Sequence, residues 1–117
     1  MKKPITYIAH PISTDPAGNL IKLQAIYRAL ALENKVIPFI PYVATVVALD
    51  DALPHEREIG FTHNEAIFRS GCIQQVFLYG DHISAGMATE IQWARELNIP
   101  VIPKTEGTCK WEGVCKH

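Results

Sequence analysis

The sequence predicts an α/β fold, with parallel strands in one sheet and helices on both of its faces. Two observations carry this expectation. Four short apolar runs, at 4–9, 36–40, 74–79 and 101–102, alternate with three helical patterns. Turn-forming residues mark the joins, among them His10-Pro11, Asn34-Lys35 and Gly80-Asp81. Such alternation makes parallel neighbours, and right-handed crossovers then distribute the helices over both faces.

Residues 4–9 (PITYIA) are apolar and β-branched, and they read as a buried first strand that ends at His10-Pro11. Asp15-Pro16 reads as a helix start, with Asp as the cap and Pro in the first turn. Leu20, Leu23, Tyr27 and Leu30 recur at helical spacing, so this helix runs to about Glu33 and breaks at Asn34-Lys35. Residues 36–40 (VIPFI) form a second strand, which Pro38 assigns to a sheet edge or a kink. The stretch 42–52 (YVATVVALDDA) fits a short helix or an extended piece. After Pro54, residues 55–70 carry a helical pattern. Ile59, His63, Ala66 and Ile67 share one face of it, and Phe61, Glu65 and Phe68 share the other. Residues 74–79 (QQVFLY) make the third strand. A helix from about Ser84 to Leu97 follows, with Met87, Ile91, Ala94 and Leu97 as its buried stripe. Val101-Ile102, between two prolines, makes the fourth strand. Residues 104–117 show no period, so the expected division is an α/β domain over 1–103 and a C-terminal tail over 104–117.

Composition excludes several classes. At 117 residues the chain holds one domain. Lys and Arg number 11 against 12 Asp and Glu, a net charge of -1, which lacks the basic footprint of a duplex-DNA binder; no nucleic-acid partner is expected. The apolar runs are far shorter than the roughly 18 residues of a membrane span, so no membrane partner is expected either. The N-terminus, MKKPITYIAHPIS, reads as mature sequence rather than a signal peptide, which makes the cytoplasm the expected location. Cys72, Cys109 and Cys115 are too few and odd in number for a disulfide framework, and fit a reducing compartment. The spacing Cys109-x5-Cys115-x-His117 matches no common zinc pattern, so no metal is expected.

In an open α/β sheet a ligand sits outside the carboxyl ends of the strands. The loops there are 10–13, the stretch after Pro41, and 81–86. Ser84, Ala85 and Gly86 leave the first-turn N–H groups of the following helix uncrowded, which suits an anion; a plain serine cap is the alternative. Glu90 flanks the buried stripe of that helix, too deep for the helix dipole to explain it. A half-buried carboxylate costs free energy unless paired or useful; a boundary residue reaching solvent is the alternative. Glu65 is a second carboxylate, either solvated or, if its helix lies beside Glu90, a partner to it. Two carboxylates in one pocket equip a site for glycosidic chemistry. Tyr7 is placed either to orient a carboxylate through its phenol or to pack in the core. His10 is a ligand contact or a turn residue, and Asn19 a cap substitute or a ligand contact. His63 reads as a core histidine, Cys72 as packing, and Trp93 and Trp111 as packing or dimer contacts.

TYIAHPIS, Asn19 in the following helix, and SAGMATEIQWA after a strand together resemble the nucleoside 2-deoxyribosyltransferase superfamily, over roughly residues 4–103. That group includes the 2'-deoxynucleoside 5'-monophosphate N-hydrolases. The specific part is a Tyr in the first strand, a Gly four residues before a Glu, and an Ala four after it. The resemblance implies a flavodoxin-like Rossmann three-layer sandwich, with a mostly parallel sheet of four or five strands, and a homodimer or higher homo-oligomer. It implies that Glu90 is the nucleophile on the anomeric carbon and that Tyr7 positions it. Glu65 corresponds in spacing to the family's aspartate, which contacts ribose or base and helps protonate the leaving base. Ser84 falls where the monophosphate hydrolases carry a phosphate-binding serine. The chain departs from the pattern in having Glu90-Ile91-Gln92 for Glu-Leu-Gly, His10 where many relatives have Gly, and no recognisable closing segment in 104–117.

The expected catalytic set is therefore Glu90, Glu65 and Tyr7, and the expected substrate-binding set is His10, Pro11, Asn19, Ser84, Gly86 and Met87, with no cofactor. The leading expectation is hydrolysis or base transfer at the N-glycosidic bond of a (deoxy)nucleoside 5'-monophosphate. A binding module that holds a nucleotide or an NAD-derived ligand without turnover is the alternative, and an interaction protein is a third.

Overall fold

The computed structural model describes residues 2–110. The chain runs β1 (Ile5–Ala9), α1 (Pro16–Glu33), β2 (Ile37–Phe39), α2 (Val43–Ala48), α3 (Pro54–Arg69), β3 (Gln75–Leu78), α4 (Ala85–Glu96), β4 (Val101–Pro103) and α5 (Glu106–Cys109). The four strands form one all-parallel sheet in the order β2-β1-β3-β4. This is the flavodoxin-like three-layer arrangement with a four-stranded sheet. Strand order reverses between β1 and β3, and ligand crevices of such sheets lie at that reversal.

Local chemistry explains most boundaries. The Asp15 carboxylate accepts the Gly18 N–H at 3.2 Å and starts α1. Asn34 ends it in the left-handed region at φ 61°, which asparagine tolerates. Pro38 lies in β2, an edge strand, where a missing N–H is tolerated. Residues 43–48 are helical, which resolves the ambiguous stretch.

Alternation along β1 sends neighbouring side chains to opposite faces. Ile8 points toward α1 and packs with Leu23 and Phe77. Tyr7 and Ala9 point toward α3 and α4, into a core with Phe68, Val76, Leu78, Met87, Ile91, Trp93 and Ala94.

Several expectations about faces are corrected. Tyr27 is 46% exposed: the apolar contacts of α1 run through Leu20, Leu23, Ile26 and Leu30, which rotates Tyr27 off the sheet. Leu97 caps α4 and is exposed, whereas Trp93 is buried against Phe68 and Phe61. His63 is exposed and is no core histidine. The stretch after Pro103 is not featureless either. Thr105 and Thr108 form a reciprocal capping box that starts α5. Thr105 Oγ1 also donates to the Gly80 carbonyl at 2.6 Å, and Thr108 Oγ1 to that of Leu78 at 3.3 Å, which straps α5 onto the end of β3. Cys72 is a free thiol beside Ser70, while Cys109 is disulfide-bonded, a cross-link that the cysteine count did not predict. Trp111, Cys115 and His117 lie outside the described residues.

Candidate active site

The ends of β1 and β3 bring two loops together. Gly80 follows β3 with φ +98°, and a side chain there would come within 2.5 Å of the Pro11 ring. Only glycine satisfies both conditions, so the loop after β3 can lie against the loop after β1. His10 is buried, and its Nδ1 lies 2.7 Å from the Pro11 carbonyl. A carbonyl only accepts, so Nδ1 carries the proton. Asn19 is buried at the start of α1 and donates through Nδ2 to the Ile12 carbonyl at 3.2 Å, which ties this loop down.

Ser84 caps α4: its Oγ accepts the Met87 N–H at 3.2 Å. The Met87 side chain is core, so its place in the expected binding set is corrected; packing claims it. Gly86 is exposed on the first turn, and a Cβ built there would meet only Ser84 Oγ, at 4.0 Å, outside its own helix backbone and chain neighbours. Between them, Ser84 and Gly86 leave one side of the first turn of α4 unobstructed.

Glu90 lies on the second turn of α4 and points inward. Tyr7 O–H, rising from β1, donates to Glu90 Oε2. Asn64, on α3, donates through Nδ2 to the same oxygen at 2.9 Å and lies 3.0 Å from the Tyr7 hydroxyl. Three side chains from three elements thus meet at one carboxylate oxygen. Glu90 Oε1 has no hydrogen-bond partner among the described residues, and Glu90 is half-buried. Aromatic rings wall the cluster: Tyr7 packs on Phe68 at 4.6 Å and on Tyr42 at 5.6 Å between centroids. The Tyr42 hydroxyl donates to the Ile8 carbonyl at 2.6 Å.

These walls set the electrostatics. Burial pushes the Glu90 carboxyl up from 4.5 to about 7, although the hydrogen bonds from Tyr7 and Asn64 pull the other way. Burial first, and then the Glu90 charge, raise Tyr7 and Tyr42 well above 10, so both phenols stay protonated as donors. No Lys, Arg or His forms an ion pair with Glu90 among the described residues. Among the described residues the cluster holds a single acid with no compensating cation.

Residues 4–104 match a sequence family described as a domain of unknown function, DUF7768. The chain belongs to that family. No curated protein and no solved structure matches it.

In this DUF7768 chain the second expected carboxylate is not part of the cluster. Glu65 turns to the surface and pairs with Arg69 Nε at 2.9 Å; Arg69 in turn reaches Glu96 at 3.1 Å. Its neighbour Asn64 occupies the place beside Glu90. The expectation for Glu65 is corrected by one position, and the correction changes the chemistry, because an amide neither gives nor takes a proton at neutral pH. Periodicity could not make this choice. Positions 64 and 65 both fall between Phe61 and Phe68, and the deciding fact is that Phe61 is about half exposed while Phe68 is buried. Tyr42 was missed as well; its signal was a lone aromatic just after the second strand.

Two surface hollows lie away from Glu90. One, of about 420 Å³, opens at the opposite end of the sheet beside Gly71, Gln74 and Asn98. The other, of about 270 Å³, lies between α1 and α2, lined by Leu23, Tyr27, Ile40 and Val43. Among the described residues no three potential metal ligands cluster, and no helix is long and apolar enough to cross a membrane.

Proposed function

We propose that the chain acts on the N-glycosidic bond of a (deoxy)nucleoside 5'-monophosphate, with Glu90 as the nucleophile at C1'. The observation that carries this reading is the Glu90 carboxylate, half-buried at the strand-order reversal and held through one oxygen by Tyr7 and Asn64. The likeness of TYIAHPIS and SAGMATEIQWA to the deoxyribosyltransferase superfamily supports it. A nucleophile needs a fixed direction and an uncommitted lone pair. Oε2 supplies the anchoring, and Oε1 is left for attack. The first turn of α4, with Ser84 and Gly86, would take the phosphate: backbone N–H groups and the dipole favour an anion there. Water then releases the sugar phosphate, or a second base accepts it.

Glu90→Ala is expected to abolish base release from nucleoside monophosphates, followed by chromatography, while circular dichroism stays native. Full activity in that variant refutes the role.

A second reading is favoured by Asn64. With an amide where a proton donor was expected, the cluster would bind a nucleotide without turning it over. Tight binding by calorimetry with no product after long incubation supports that reading over catalysis. We also propose that two copies associate. Val47, Leu53 and Phe61 are apolar and 48–70% exposed on α2 and the start and middle of α3, and a second copy would cover them. Light scattering is expected to give twice the monomer mass; a monomer at high concentration refutes it.

A further inference from the structure

Among the described residues the cluster contains a candidate nucleophile but no group placed to protonate a leaving base. Purine and pyrimidine bases depart from C1' as anions unless a proton reaches them, and a positioned acid is worth about 10²–10⁴ in rate. The ionisable groups described around Glu90 each direct the proton they hold to another acceptor. Tyr7, from β1, spends its proton on Glu90 itself. Tyr42, at the start of α2, donates to the Ile8 carbonyl. From α3 comes only the Asn64 amide, and Glu65 faces Arg69. His10 gives its Nδ1 proton to the Pro11 carbonyl, and its ring lies toward Gly80. Asp81 and His82, on the loop before α4, pair with each other at 2.6 Å and are exposed.

The cluster has a second property. Glu90 is an acid among aromatic rings with no cation against it among the described residues. A site of that kind is complementary to a ligand that brings its own positive charge. One class of N-glycoside meets both conditions: it is cationic, and its leaving group needs no proton.

We infer that the substrate is an N-ribosyl pyridinium 5'-phosphate, cleaved at Glu90 with departure of a neutral pyridine. This rests on the reading of Glu90 as a glycosidic nucleophile. Glu90 Oε1 forms a bond to C1' while the C1'–N bond breaks. The bonding pair returns to the ring nitrogen and cancels its positive charge, so the pyridine leaves neutral. Water then attacks C1', the Glu90 carboxylate departs, and one proton passes to solvent. The products are ribose 5-phosphate, the pyridine and a proton. Asn64 holds Glu90 without competing for protons.

The test uses the wild-type chain with nicotinamide mononucleotide, its reduced dihydropyridine form, and AMP, dAMP and CMP, with released base measured by chromatography. Nicotinamide is expected to appear at least about 100-fold faster than any neutral base, the factor that an absent acid withholds. The reduced form, equal in size but uncharged, is expected to be inert. The rate is expected to climb once through neutral pH and then stay level, since no acid has to remain protonated. Comparable release of a purine or pyrimidine overturns this inference and leaves the proposed function standing. No release from any of these compounds overturns both. Asn64→Asp, which installs a carboxylate beside Glu90, is expected to raise purine release relative to nicotinamide release. An unchanged ratio in a variant with native circular dichroism overturns the part assigned to Asn64.

Discussion

Replacing Glu90 by Gln is expected to stabilise the protein progressively as pH rises. The carboxyl titrates near 4.5 in an unfolded chain and near 7 in the folded one, because burial disfavours its charged form. Between these values the folded state keeps a proton that the unfolded state has released. Stability that is fully present below 4.5 is therefore lost as pH climbs through 7. Each tenfold difference in proton affinity is worth about 1.4 kcal/mol, so the whole loss approaches about 3 kcal/mol, of which about 2.5 kcal/mol falls between pH 5 and 8. Glutamine does not ionise. Whatever constant cost its amide incurs against Tyr7 and Asn64, the variant's stability relative to wild type gains that 2.5 kcal/mol across the window. Tyr7 and Tyr42 titrate well above 10 and add nothing there. Urea denaturation of both proteins at half-unit steps from pH 5 to 8 measures the difference directly. In thermal scans the same change is a shift of about 10 °C in relative Tm for a domain of this length. A stability difference that stays flat within about 0.5 kcal/mol over that range would mean that Glu90 is solvated in the folded protein, and the electrostatic reasoning would fail.

Two further perturbations test the surroundings. Asn64→Ala removes one of the two donors to Glu90 Oε2, and is expected to cost about 1–3 kcal/mol above pH 8 but less at pH 5, where the acid is protonated; equal losses at both pH values would show that Asn64 does not serve the charged form. Gly107→Ala puts a Cβ 2.2 Å from the Asp81 carbonyl oxygen, a backbone contact that cannot swing away, so a loss of about 1–3 kcal/mol by denaturant titration is expected; an unchanged midpoint would mean that α5 does not press on the β3–α4 loop.

What the sequence made legible follows physical range. The ends of α1 were readable because Asp15, Pro16 and Asn34 act on their own backbone within a turn. The serine cap of α4 was readable for the same reason. Pro38 limited β2 to an edge or a kink because a proline lacks the N–H that a central strand needs, and the sheet order makes it an edge. Glu90 was suspect from its depth in a helix whose buried side is otherwise apolar. Its partners were a different matter. Whether α3 offers position 64 or 65 to α4 depends on the rotation of α3 about its axis, and that is fixed by the burial of Phe68 against Tyr7 and Trp93, not by any property of residues 64 and 65. Tyr27 and Leu97 failed likewise: each has the correct spacing, but the neighbouring layer does not extend over it. The α5 strap escaped notice because four residues are too few to show a period, and its two threonines act on carbonyls of a distant strand.

The cost of holding Glu90 inside the protein bears on what the cluster is for. Among the described residues no buried side-chain nitrogen or oxygen lacks a hydrogen-bond partner, so polar groups elsewhere are not left in strained isolation. Glu90 is hydrogen-bonded too, yet two good donors fail to bring its carboxyl back to the ordinary range. A leucine or methionine at this position would carry no ionisation penalty, and would instead leave the Tyr7 hydroxyl and the Asn64 amide without their carboxylate acceptor. An ionisation cost of about 3 kcal/mol, carried by the folded protein above neutral pH, fits a group kept for something other than folding. The same quantity sets what a ligand can gain. A positive charge brought against Glu90 favours its ionised form, and any such ligand binds more tightly as pH rises through 7, by linkage with the proton it displaces. A neutral nucleotide cannot draw on that reserve. On the proposed reading, the carboxylate that destabilises the empty protein would favour a sugar phosphate whose base is charged over one of similar shape whose base is neutral.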